Sequence, residues 1–180
     1  MKTRHFCAVF LMAAASMVLL GCGLRTPPVK MCPVASILAD TATYPGFRPG
    51  AEGDPAGEAF IARLSGVTSD CDFDANKSRS DSSVELSFRA TRAPTGQAAT
   101  FSVPYYIAVT YAGQILTKRT FTVDFSFRPG ESSTEFSADA NSILTQIDTG
   151  RMPYDYQILV GMQLTDSQLN YVKLMGRYTP

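Results

Sequence analysis

Val84-Glu85-Leu86-Ser87-Phe88-Arg89-Ala90-Thr91 decides the fold class. Val84, Leu86, Phe88 and Ala90 alternate with Glu85, Ser87, Arg89 and Thr91. Successive side chains of an extended chain point to opposite faces, so a period of two makes one apolar and one polar face. The stretch therefore reads as a half-buried strand whose apolar side covers a core.

The same reading extends in both directions. Phe101, Val103, Tyr105, Ile107, Val109 and Tyr111 form the next inward face, and Pro104 within it predicts a sheet edge or a bulge. Ala112-Gly113 predicts a tight hairpin, with a returning strand near Gln114 to Phe127 that is lined by Phe121, Val123, Phe125 and Phe127. Arg128-Pro129-Gly130-Glu131 is a turn, followed by a short strand near Ser133 to Ala138. Asn141 to Ile147 is open between strand and helical turn. Tyr154, Tyr156, Ile158, Val160, Met162 and Leu164 share one face of a last strand. Thr165-Asp166-Ser167-Gln168 then has capping-box spacing for a short helix containing Leu169 and Val172.

Upstream, Val34 to Thr43 reads as a first strand. Tyr44 to Glu58 holds Pro45, Gly46, Pro49, Gly50, Gly53, Pro55 and Gly57, which predicts a long exposed loop. Ala59 to Val67 is extended or a short helix. Phe47-Arg48-Pro49-Gly50 and Phe127-Arg128-Pro129-Gly130 repeat a tetrapeptide that turn chemistry explains. About seven strands joined by tight turns, without long helical periods, predict an all-β antiparallel sandwich, with a small closed barrel as the alternative.

Gly150-Arg151-Met152-Pro153-Tyr154-Asp155-Tyr156-Gln157-Ile158-Leu159-Val160 resembles the penultimate strand of immunoglobulin-like and fibronectin type III domains. The resemblance implies a tyrosine at the strand start that hydrogen-bonds back to the preceding corner, a role for Tyr156 or else Tyr154. Tyr106 and Leu159 fall on the face opposite the core and are candidates for either a binding patch or a covered surface.

The N-terminus carries Lys2 and Arg4, then the apolar and small run Phe6 to Leu20. A spanning helix needs about 20 apolar residues, and this run is shorter. Leu19-Leu20-Gly21-Cys22, which closes it, resembles the lipobox of bacterial lipoprotein precursors. The resemblance implies that residues 1–21 are a signal peptide. Cys22 then becomes the lipid-bearing terminus, with a diacylglyceryl thioether and a further amide-linked chain such as palmitate. Two or three chains exceed the marginal binding of one and give a lasting anchor. Gly23 in place of an aspartate favours the periplasmic face of the outer membrane. Residues 22–31, with Pro27-Pro28, form a stiff tether, and 32–180 the domain.

Composition excludes several classes of function. Without Lys2 and Arg4, 14 basic residues face 16 acidic ones, so no basic surplus exists for nucleic acid. His5, in the signal, is the sole histidine. A mature chain without imidazole excludes Ser-His and Cys-His nucleophilic pairs and histidine-ligated zinc. No Gly-x-Ser-x-Gly elbow or phosphate-cradling glycine loop is present, and no catalytic residue or cofactor is expected.

Cys7 leaves with the signal and Cys22 takes lipid, so Cys32 and Cys71 remain as a disulfide pair in an oxidising compartment. Asp70, Asp72, Asp74 and Asn76, with Asp81 at the twelfth position, imitate a calcium loop. Ala75, Lys77 and Asp81 each depart from that pattern, and no metal is expected. The reading is thus a non-enzymatic envelope lipoprotein that acts as an accessory or scaffold for an unknown envelope protein. The alternatives are a carrier of an apolar ligand between its sheets and a glycan hydrolase built on two carboxylates.

Overall fold

The computed structural model describes Met31–Arg177, which belong to one compact unit. The unit is a two-layer β-sandwich with one short helix. Its strands are β1 (Val34–Ile37), β2 (Thr43–Phe47), β3 (Glu58–Asp74), β4 (Arg79–Thr91), β5 (Ala99–Tyr111), β6 (Gln114–Phe127), β7 (Ser133–Gln146) and β8 (Tyr156–Met162), followed by α1 (Asp166–Leu174). One sheet has the order β1-β8-β5-β6 and the other β2-β3-β4-β7. All pairs are antiparallel except β1 with β8, which run parallel.

The alternation that began at Val84 holds along β4. Val84, Leu86, Phe88 and Ala90 are buried and the residues between them exposed. Their faces meet β5 and β8 across the interior, where Val103, Ile107, Ile158 and Val160 are also buried. Aromatic rings fill the space between the sheets. Phe125 stacks on Phe136 at 4.5 Å and meets Phe60 edge-on at 5.2 Å, and Phe88 stacks on Phe136 at 5.0 Å. Such offset and edge-to-face pairs add about 0.5–1.5 kcal/mol each beyond the area they bury.

Ala112 (φ 48°) and Gly113 (φ 78°) form the two-residue hairpin between β5 and β6, both left-handed as a primed turn requires. The Tyr156 hydroxyl accepts from the Asp148 amide at 3.0 Å, tying β8 back to the corner before it. Tyr154 instead lies in a 3-10 turn, Pro153–Asp155, and is exposed. Thr165 caps α1 as its spacing predicts: its hydroxyl accepts from the Gln168 amide, while the Gln168 side chain accepts from the Thr165 amide.

Four expectations are corrected, and the open reading of Ala59 to Val67 is resolved as extended. Val34 to Thr43 is not one strand; β1 stops at Ile37 and a 3-10 turn, Ala39–Thr41, carries the chain across to the other sheet. Tyr44 to Glu58 is not all loop, because Thr43–Phe47 pairs with β3. Ala59 to Val67 is the first half of a 17-residue strand. The strand expected over Ser133 to Ala138 continues to Gln146 through a bulge at which Ser142 adopts φ 58°. Pro104 lies in a strand paired on both sides, not at a sheet edge. Its carbonyl accepts from Gln163, so Pro104 faces β8 at the last rung, and the reciprocal bond that its missing N–H cannot make falls just past Met162, where β8 ends.

Candidate functional site

Cys22 and nearly all of the tether lie outside the described residues. Cys32 and Cys71 are joined, with Cα atoms 5.7 Å apart, and fasten the segment before β1 to β3.

Asp70, Asp72 and Asp74 do not form a calcium loop. They are alternate residues of β3 on its outer face, and Asp81 of β4 stands directly across from Asp72. A hairpin strand has the same period of two as the odd positions of a calcium loop, which explains the imitation. The chain turns at Ala75–Ser78, where Lys77 reaches back to Asp74 at 3.1 Å. The Lys77 hydrogen bond holds the Asp74 carboxyl below its ordinary range. Among the described residues no group of three or more histidine, cysteine, aspartate or glutamate side chains is arranged to hold a metal ion. The four aspartates border an open hollow of about 510 Å³ that is shared with Arg79, Asn141 and Ser142.

Tyr106 belongs to the outer face yet is buried. The 3-10 turn Ala39–Thr41 covers it: its hydroxyl shares a hydrogen bond with Thr41 Oγ1 at 2.9 Å, and Lys118 Nζ lies 4.2 Å from its ring centre. Burial raises the hydroxyl above its ordinary value, and the Thr41 bond lowers it in part. Tyr106 is therefore part of the packing, and Leu159 beside it is half-buried.

The four sheet edges differ. β1 has four residues. β2 is buttressed by α1, with the Phe47 and Tyr171 rings edge-on at 5.0 Å and Gln168 Nε2 donating to the Pro45 carbonyl at 3.0 Å. Arg177 forks onto the Glu58 carboxylate, and Tyr171 donates to the same group at 3.0 Å. Burial raises the Tyr171 hydroxyl above its ordinary value, and Glu58 raises it further. The Glu58 hydrogen bond also raises the Arg177 guanidinium.

β6 and β7, each 14 residues long, end their sheets on the opposite flank, and no described element pairs with their outer edges. The backbone groups of β6 can be oriented from Pro104. Because its carbonyl serves Gln163, the Pro104–Thr122 pair exchanges no ladder bonds, and Thr122 aims its own N–H and C=O at the open edge. Thr120, Asp124 and Ser126 follow by the same period. Two devices blunt the first half of this edge: the bulge against Val109/Thr110, and the cations Lys118 and Arg119. The second half, Thr120 to Phe127, alternates cleanly and lacks them. Sequence reading located β6 to the residue but not its place at an edge, which depends on the order of distant strands.

No family model matches the chain, and neither a curated protein nor a solved structure does.

Proposed function

We propose that the chain is a lipid-anchored accessory protein of the bacterial envelope, without enzymatic activity, that receives a partner by strand addition at the Thr120–Phe127 half of β6. One observation carries the reading: a long edge with outward amides at Thr120, Thr122, Asp124 and Ser126, left bare while the other flank is covered. Strand addition takes affinity from main-chain hydrogen bonds and specificity from alternate side chains, and this edge offers both. The lipobox-like Leu19-Leu20-Gly21-Cys22 supplies the address: an acylated Cys22 at the periplasmic face of the outer membrane. The aromatic stacking between the sheets weighs against a carrier with a hollow interior.

The test is crosslinking in native envelopes followed by mass spectrometry. The N-terminal peptide is expected to begin at Cys22 with the mass of its acyl chains. Crosslinked peptides are expected to join β6 to one envelope protein. An unmodified Cys22 on a freely soluble chain, or crosslinks scattered over the whole surface, would contradict the proposal.

A further inference from the structure

Ten large apolar side chains stand exposed among the described residues, and six of them gather at one end of the sandwich: Met31, Val34, Ile115, Leu116, Met152 and Tyr154, each 40–64% exposed. The strand registers place them together. Val34 aligns with Gln157, Gln157 with Thr110, and Thr110 with Ile115, a single row across all four strands of that sheet. Met152 and Tyr154 immediately precede Tyr156, which faces Tyr111 beside the Ala112-Gly113 hairpin. Leu174 and Met175, also exposed, belong to the other end, where Arg177 meets Glu58 at the start of β3.

The described chain begins at this same end, at Met31. Residues 23–30 separate it from Cys22, and eight extended residues reach at most about 27 Å. We infer that this end is a membrane-contact surface: its six apolar side chains enter the boundary between headgroups and acyl chains, with Tyr154 presenting its hydroxyl at headgroup level. The anchor reading is what brings the surface to lipid. The charges here do not favour an electrostatic contact: Lys77 is paired with Asp74 and Arg151 with Asp148 at 3.5 Å, Arg79 stands among Asp70, Asp72 and Asp81, and Lys118 and Arg119 lie farther along β6. The occupant is thus the apolar boundary of a zwitterionic bilayer, and anionic lipid is not required. β6 then starts in the contact at Ile115 and runs away from it, which leaves Thr120–Phe127 free for a partner.

The test uses residues 22–180 coupled through the Cys22 thiol to maleimide-headgroup lipid in phosphatidylcholine vesicles, so it does not depend on acylation in cells. With Cys32 and Cys71 bonded, Cys22 is the one thiol of that chain, and the absence of tryptophan allows single reporters. Ile115→Trp is expected to shift its emission to the blue and to be quenched by bromo-acyl lipids roughly two-fold more than Leu174→Trp, unchanged in about 0.5 M salt. Tyr154→Trp, as a second reporter, is expected to follow Ile115→Trp. Equal and negligible quenching of all three on vesicle-bound protein overturns the inference, as does quenching that salt abolishes. The anchor reading fails separately: quenched reporters with no acyl mass on Cys22 from cells keep the surface and remove the anchor, and the reverse pattern does the opposite.

Discussion

The two flanks of the sandwich are treated differently. On the β1/β2 flank, the disulfide, the 3-10 turn over Tyr106, the helix on β2 and the Glu58–Arg177–Tyr171 group close both edges. On the β6/β7 flank, two long strands end in open backbone, and the protective features are confined to the Leu116 region and the cations of β6 and to the Ser142 bulge of β7. A protein that closes one flank with four devices and leaves a clean eight-residue run on the other would, on the proposed reading, separate stability from recognition. Substitutions on the closed flank should therefore cost stability and spare binding. Those on the open flank should do the reverse.

The largest effect is expected from the disulfide. Cys32→Ser with Cys71→Ser opens a loop of about 40 residues, for which chain entropy predicts a loss of about 4 kcal/mol. Urea unfolding with and without reductant reads this, and a loss below about 1 kcal/mol would place the stability elsewhere. Next, Arg177→Met leaves the Glu58 carboxylate without its cation in a mostly buried site. A loss of about 2 kcal/mol is expected, with β6 crosslinks unchanged.

The pH dependence is smaller and has a definite sign. Tyr106 and Tyr171, both on the closed flank, have hydroxyls raised above their ordinary values. The unfolded chain therefore loses these protons first. The stabilisation is complete below about pH 10, the unfolded tyrosine value, and falls as pH climbs toward the folded values. Thermal melts between pH 8 and 11 should show this decline, and Tyr171→Phe should flatten it. A melting temperature that rises over that window would contradict the assignment.

The smallest change in stability, and the largest in binding, is expected from Thr122→Pro. It removes an N–H that faces the open edge and leaves the β5 ladder intact, so it should cost less than about 1 kcal/mol. Crosslinks to β6 should vanish. A variant that unfolds would show that Thr122 faces β5 after all.

What the sequence revealed follows the same division. β4, the 112–113 hairpin, β6 and the α1 cap were legible because each rests on a local rule of period or turn chemistry. β2 was hidden by Pro45 and Gly46, residues of loops, yet both fit. The Pro45 carbonyl faces away from β3 toward Gln168, so its missing N–H lies on the outer side, and a Cβ on Gly46 would fall 2.2 Å from the Phe60 ring. The far ends of β3, β4 and β7 lost their pattern because the interior there holds hydroxyls. Ser80, Ser82 and Thr145 are buried with no hydrogen-bond partner among the described residues, and no apolar period survives them. The candidate edge was legible as a strand only. Its exposure, and the direction of the Thr122 amide, come from Pro104 and Gln163, which tertiary structure brings together.

The most direct measurement places a photoreactive residue at Thr122 on the open flank and, in a second chain, at Asp40 on the closed flank, with irradiation in intact cells. A discrete adduct with one envelope protein at position 122, absent at position 40, is the predicted result. Adducts of equal yield at both positions, or none at 122 while the protein remains folded and membrane-bound, would contradict recognition through β6.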